Sequence, residues 1–206
     1  SAVLHERVLE ALIAVLKSDE SADVVLPVLT PVFGVLLKIV VVRLHRAGMF
    51  EDEATRPQRA SAAFAALLAR AVSLLAVQVA RVSWTLPALA CQVSAATACL
   101  LKDLLDVLDR GLVGRLVAAF VHTLVNGVSP GNGGAERMEA DLAHMDFGVT
   151  RSCAALTFAV IGTHQRFAAL CVPLRARPET SGDALRQWRR RHSLAAIGIG
   201  VFDDAL

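Results

Sequence analysis

Apolar residues recur every three to four positions through residues 100–124, a spacing that predicts two successive helices. In the first helix, leucines lie on one face, and Lys102 and several aspartates lie between them. The pattern breaks at Asp109-Arg110-Gly111 and then restarts. We expect Gly111 to end the first helix in a left-handed conformation and Asp109 to cap the second. The stretch therefore predicts two packed helices with a tight joint, a pattern that a generic helix-turn-helix also shows.

The rest of the chain repeats this spacing between short polar, Gly- or Pro-containing connections, and no stretch alternates as a strand does. Ser61 is expected to cap one helix and Pro87 to open another. The sequence thus predicts an all-α protein, a single helical-repeat segment over residues 1–206 without a strict repeat period. Its expected parts are N-terminal helices (1–84), a helix pair around Asp109 and Gly111 (87–126), and C-terminal helices (135–206) with a linker at 175–182.

Two stretches leave a membrane protein open as an alternative. Residues 24–42 approach the roughly 20 apolar residues that cross a bilayer, and residues 62–80 are similarly apolar. Prolines disturb the first half of 24–42, and Lys38 lies within it. Arg70 interrupts the second stretch. We therefore favour buried helices, the first of them beginning near Pro31.

Composition restricts the classes of partner. The apolar residues make up 55% of the chain, the mean hydropathy is +0.54, and the net charge is only +2. Tyrosine is absent and aromatic residues are 5%, which argues against a nucleic-acid surface built on base stacking. The four cysteines form no CxxC pair, as expected for reduced thiols in a cytoplasmic protein. No signal peptide is evident, and helical patterns run to both ends, so we expect a fragment of a longer chain.

Candidate chemistry is sparse. None of the six histidines lies in a zinc-binding spacing, and the Gly-rich residues 131–134 lack the Lys-Ser/Thr of a phosphate loop. We expect no catalytic residue, no metal site and no cofactor. His164 is expected to lie at a helix end and to bond a carbonyl. Asp103, Asp106 and Asp109 are expected on a solvated face. The basic cluster 186–191 is either a solvated face or a contact for phosphate or anionic lipid.

Three motifs in order carry a family resemblance. The first is the leucine-rich helix that runs into Asp109-Arg110-Gly111. The second is the turn HQRFAALCVPLR at residues 164–175, and the third is the stretch RRRHSL at 189–194 within an apolar helix. Together they resemble the central helical region of the DOCK (dedicator of cytokinesis) family, closest to its zizimin-like branch. Gln165 and Arg166 depart from the family pattern, and Ser193 replaces its aromatic residue.

The resemblance implies an irregular armadillo-like solenoid within a guanine nucleotide exchange factor for Rho-family GTPases of the Rac or cell-division-control branch. Exchange would belong to a separate C-terminal domain that is absent here. This segment would position that domain through the expected helix 184–206 and meet the GTPase only through it. The resemblance also implies a homodimeric parent, cytoplasmic and recruited to membranes by other domains. An unrelated helical-repeat adaptor is the further alternative. The motif residues are Asp109, Arg110, Gly111, His164, Phe167, Pro173, His192 and Leu194.

Overall fold

The computed structural model describes residues 3–18, 22–126 and 147–166, and every regular element in these ranges is helical. The all-α prediction is therefore confirmed for the described part of the chain. Its elements are α1 (Leu4–Lys17), α2 (Ala22–Val25), the 3₁₀ helix η1 (Leu26–Val28), α3 (Leu29–Arg46), the 3₁₀ helix η2 (Glu53–Gln58), α4 (Ala62–Val82), α5 (Pro87–Val107), α6 (Arg110–Asn126) and α7 (Phe147–Gly162).

Local capping signals set several of these bounds as predicted. The Ser61 hydroxyl accepts the backbone N–H of Phe64 at 3.0 Å and so caps α4. Pro87 occupies the first turn of α5, where its missing N–H costs no hydrogen bond. The Asp109 carboxylate accepts the backbone N–H of Leu112 at 2.9 Å, which confirms it as the cap of α6.

Helices that are near each other in sequence pack as pairs, and the pairs stack so that their members form two rows. Neighbours in sequence pair as α1 with α3, α4 with α5, and α6 with α7. Across these pairs, α1 packs on α4 and α4 on α6, while α3 packs on α5 and α5 on α7. One continuous apolar core, rich in leucine and valine, runs through all these contacts. Burial of such side chains is the main driving force for folding.

Interhelical bonds fix the directions of two rows. Glu6 of α1 accepts the hydroxyl of Ser61 at 3.0 Å, and Gln78 of α4 donates to the Leu16 carbonyl at 2.8 Å. The first bond joins the starts of α1 and α4, and the second joins their ends, so the two helices run parallel. Two contacts described below, between Ser94 and Cys153 in the first halves of α5 and α7 and between Asp106 and His164 where these helices end, make that pair parallel as well.

The joint between α5 and α6 differs from the prediction. Gly111 lies inside α6, and the left-handed glycine of the described part is Gly48, with φ of 66°. Gly48 follows the end of α3, where its N–H bonds the His45 carbonyl and the Met49 N–H bonds the Leu44 carbonyl, both at 3.0 Å. This is the Schellman arrangement. Gly111 needs no such conformation, because the end of α5 is completed by other residues.

In the part of the chain that the structure describes, three helical stretches are long and apolar enough to cross a membrane by length and composition. They are Leu26–Arg46, Ala62–Val82 and Pro87–Val107, with hydropathy 1.9, 1.9 and 1.4. Within the packed structure 28%, 39% and 50% of the respective apolar windows is buried.

Candidate functional site

Two arginines from a distant part of the chain complete the C-terminal end of α5. A helix leaves its last four carbonyls without helical partners. Here the Leu108 N–H bonds the first of them, Leu104, at 2.8 Å, and two guanidinium groups bond the other three. Arg56 donates to Leu105 and Asp106 (3.2 and 2.7 Å), and Arg59 donates to Val107 (3.0 Å).

Arg59 also holds its own segment of chain in place. It is only 2% exposed, and its other nitrogens donate to three backbone carbonyls at 2.8 to 3.0 Å. Those carbonyls belong to Met49, Phe50 and Asp52. The guanidinium lies 5.7 Å from the centre of the Phe50 ring, within cation–π range. A single buried arginine therefore joins the turn after α3 to the end of α5.

A second group of charges gathers around the same helix end. His164 Nε2 lies 3.1 Å from Asp106 Oδ2, and Arg166 lies 3.2 Å from Glu53 Oε1 and 3.7 Å from Asp106 Oδ1. We call these four residues, Glu53, Asp106, His164 and Arg166, the polar clasp. It connects η2, the end of α5 and the residues that follow α7.

The hydrogen bonds of the clasp select one tautomer of the neutral His164 ring. The Arg166 backbone N–H donates to His164 Nδ1 at 3.0 Å, so in the neutral ring Nε2 carries the proton that faces Asp106. The hydrogen bond from Arg166, and secondarily the charge of Arg56, lowers the pKa of Glu53. Both ring nitrogens of His164 are engaged, so the ring holds the residues after α7 against the end of α5. The prediction that His164 lies beyond a helix end is confirmed, but its partner is a carboxylate and not the predicted carbonyl.

The structure brings two of the predicted motif regions together. His164 contacts Asp106, which lies only three residues before the α6 cap Asp109. Arg110 is exposed in the first turn of α6, and Gly111 follows it in the helix. Asp103 and Asp106 are exposed as expected, although Asp106 is paired. The other motif residues, Phe167, Pro173, His192 and Leu194, lie outside the described residues, as do the linker 175–182 and the basic cluster 186–191.

Sequence reasoning missed the two arginines and Glu53. The sequence pattern shows residues 51–58 only as a charged loop, whereas the structure forms η2 there. Because Arg56 and Arg59 bond carbonyls 48 to 50 positions later, no local spacing reveals their role. The available signal is a pair of arginines three apart in a short connection between two strongly apolar helices.

A buried histidine lies between the start of α4 and the end of α3. His5 of α1 is fully buried against Phe64, with the rings 4.7 Å apart and edge to face. Its Nε2 lies 2.9 Å from Arg43 Nη1 of α3. Arg43 can only donate, so Nε2 accepts and the proton resides on Nδ1, for which no described residue is a hydrogen-bond partner. Burial, and next the Arg43 charge, lowers the pKa of His5.

A groove of about 540 Å³ runs between η1, α3 and α5, lined mainly by apolar side chains that include Phe33, Leu37 and Ala96. Three exposed valines, Val28 in η1 and Val35 and Val42 in α3, are spaced seven positions apart. This spacing places Val35 and Val42 on one stripe of α3. Among the residues that the structure describes, no group of three His, Cys, Asp or Glu side chains is placed to hold a metal ion.

The residues that the structure describes thus form an all-helical fold. No family model matches the chain, and no curated protein or solved structure matches it.

Proposed function

We propose that the chain is an irregular armadillo-like solenoid whose role is structural. Three helix pairs, α1–α3, α4–α5 and α6–α7, stack so that each element packs on its counterpart in the next pair. Such stacking buries a continuous core between successive repeats and is typical of solenoids. The parallel directions of α1 with α4 and of α5 with α7 support the same arrangement, because corresponding helices of successive repeats point the same way.

We further propose that this solenoid is a scaffold segment of a DOCK-like exchange factor for Rho-family GTPases. Its partner would be the adjoining exchange domain, and the GTPase would be met through that domain. The observation that carries this proposal is the contact of His164 with Asp106 at 3.1 Å. This contact joins the first motif, at the end of α5, to the first residue of the second motif, at 164–175. The two motifs are therefore in contact at this point of the fold. The proposed scaffold belongs to a cytoplasmic parent protein, homodimeric and recruited to membranes by other domains.

A nucleotide-release assay tests whether this segment lacks exchange activity of its own, as a scaffold role requires. A Rac-type and a cell-division-control-type GTPase, each loaded with fluorescent GDP, are mixed with the 206-residue chain. We expect no acceleration over intrinsic release, whereas acceleration by the chain alone contradicts the scaffold role. Sequencing the transcript beyond Leu206 supplies the positive test. A helical array of unrelated origin predicts no exchange domain there, and the DOCK-like proposal requires one.

The second candidate is a helical membrane protein, favoured by the three long apolar helices. Two exposed charges weigh against it. Lys38 and Arg70 lie near the middle of the first two candidate spans and face outward from the packed helices. A charge at the bilayer centre costs about 2.5–3.5 kcal/mol on insertion scales. Extraction of expressing cells with alkaline carbonate separates the candidates: we expect the chain in the supernatant, and retention in the membrane pellet favours the spanning protein.

A further inference from the structure

Helices α5 and α7 approach each other along a strip of small buried side chains. The strip contains Ala90 and Ser94 from α5 and Cys153, Ala154 and Thr157 from α7. Ser94 Oγ lies 3.0 Å from the main-chain oxygen of Cys153 and 3.1 Å from Thr157 Oγ1. A short hydroxyl side chain reaches a backbone carbonyl of the facing helix only where the two axes are close, and small contact residues permit that approach.

The same approach places two thiols in contact. Sγ of Cys153 lies 3.8 Å from Sγ of Cys91, and the Cys153 thiol is oriented to donate to the Cys91 sulfur. Cys153 is buried, and Cys91 is partly exposed. A disulfide has an S–S distance of about 2.05 Å, so bonding requires the sulfurs to move closer by less than ~2 Å. Cys99, exposed on the same helix α5, provides an internal comparison.

We propose that Cys91 and Cys153 form an oxidative modification site at which hydrogen peroxide produces a disulfide between α5 and α7. Cys91 reacts first because it is the accessible member and its sulfur accepts the hydrogen bond from Cys153. Its thiolate attacks one peroxide oxygen, the O–O bond breaks, and sulfenic acid and hydroxide form. The Cys153 sulfur then attacks the sulfenic sulfur, and the departing hydroxide takes the Cys153 proton as water. Two thiols lose two electrons in total, and one peroxide becomes two waters.

The surroundings of Cys153 explain why it reacts second, as the thiol that attacks the sulfenic acid of Cys91. Desolvation by burial, and next the neighbouring Cys91 sulfur, raises the pKa of the Cys153 thiol to about 12. Cys153 therefore stays protonated at neutral pH and is protected from direct attack on peroxide, since the thiolate is the reactive form. Cys153 reacts only after the neighbouring Cys91 has become a sulfenic acid, whose sulfur is electrophilic. The resulting cross-link ties α7 to α5 and restricts the unfolded chain.

Peptide mapping of the wild-type chain tests the site directly. The folded chain is treated with hydrogen peroxide, free thiols are alkylated, and the protein is digested without reductant. We expect one linked peptide pair joining Cys91 to Cys153, removed by dithiothreitol, with two of the four cysteines still alkylated. The oxidised chain should also melt at a higher temperature, and reduction should reverse that shift.

Matched variants separate this site from general thiol oxidation. Cys99→Ser should leave the linked pair unchanged, and Cys91→Ser should abolish it with Cys153 still alkylated after unfolding. Because the wild-type map needs no substitution, an unstable variant does not prevent the test. The proposal is overturned if peroxide leaves Cys91 and Cys153 both as free thiols while Cys99 is oxidised. It is equally overturned if the linked peptides join other cysteines or two separate chains.

Discussion

The Arg59 guanidinium donates to the Val107 carbonyl at 3.0 Å, across 48 positions of the sequence. A residue that precedes both α4 and α5 in the sequence therefore completes the C-terminal end of α5. Arg59 reaches three further carbonyls from the same buried position. Substitution of Arg59 consequently leaves buried acceptors unpaired at two places in the chain.

Arg59→Met should lower the free energy of unfolding by about 2–6 kcal/mol. The carbonyls of Val107 and Phe50 are left unpaired at about 1–3 kcal/mol each, whereas Thr55 still donates to the carbonyls of Met49 and Asp52. Arg59→Lys should recover little, since an ammonium group cannot reproduce the flat fork of donors. Urea unfolding followed by circular dichroism measures both. Arg70→Met, at an exposed position of α4, is the matched control and should change stability by less than ~0.5 kcal/mol. A lysine variant as stable as the wild type would show that charge alone, without the fork geometry, suffices.

Acidification should destabilise the protein through His5. Its folded-state pKa is lowered by burial and by Arg43, whereas the unfolded chain titrates near 6.5. Below pH 6.5 the unfolded state therefore binds the proton more readily, and stability falls as pH decreases until the folded-state pKa is reached. The contribution of one such group is at most about 1.4 kcal/mol per pH unit.

His5→Leu should flatten this pH dependence between pH 7.5 and 5.5, measured as the difference from wild type in urea titrations. His122→Leu, at an exposed position of α6, is the control and should keep the wild-type slope. Equal slopes for wild type and His5→Leu would mean that His5 is protonated as easily in the folded chain as in the unfolded one.

The polar clasp should contribute more to local order than to global stability. Asp106 is 54% exposed as a side chain, and ion pairs at such sites are worth about 0–1 kcal/mol. We expect Asp106→Asn to lower the unfolding free energy by no more than ~1 kcal/mol but to speed hydrogen exchange at the end of α7. Asp103→Asn, one turn earlier on the exposed side of α5, should leave that exchange unchanged.

A double-mutant cycle with His164→Gln identifies the partner. If the clasp acts as described, the exchange effects of Asp106→Asn and His164→Gln should be less than additive. Strict additivity would mean that the two side chains hold α7 independently.

Gly111 should resist substitution because of the α6 cap rather than because of backbone conformation. A methyl group added there would lie 2.9 Å from Asp109 Oδ2, the oxygen that receives the Leu112 N–H. The gain in helix propensity from Gly111→Ala, up to about 1 kcal/mol, should be offset by a disturbed cap worth about 0.5–2 kcal/mol. With Asp109→Ala already present, the same substitution should be stabilising. Gly34→Ala in α3, where the added methyl would lie within 4 Å of no other packed atom among the described residues, should stabilise in either background.

Thermal or urea unfolding of the four combinations at positions 109 and 111 decides this prediction. Equal stabilisation by Gly111→Ala with and without Asp109 would exclude the cap as the constraint.

The parts of the fold predicted from the sequence are those governed by neighbouring residues. Ser61 and Asp109 cap helices, and Pro87 opens one, because each acts within a single turn. The left-handed glycine was placed wrongly because Gly48 and Gly111 both follow apolar helical patterns. Only the three-dimensional structure shows that α3 ends on its own glycine, whereas α5 ends on arginines supplied from elsewhere.

The candidate site was predicted only at His164 and at the α6 cap. The partners of His164 and the roles of Arg56 and Arg59 depend on which helix ends meet, a property of the packed chain rather than of any window of sequence. The family-like motifs identified residues but did not predict which residues contact one another. Motif residues outside the described part of the chain, such as Phe167 and Pro173, stay predictions.

The two arginines also bear on how freely the α4–α5 pair can be separated from its neighbours. In regular repeat proteins each repeat contacts only its immediate neighbours. Here Arg56 and Arg59 lie in the connection before α4, yet they complete the end of α5. A fragment that begins at Ser61 loses them and exposes three carbonyls at its far end, whereas one that begins after α3, at Ala47, keeps them. A fragment that keeps the end of α5 complete therefore has to start in the connection before α4 and not at the first residue of that helix.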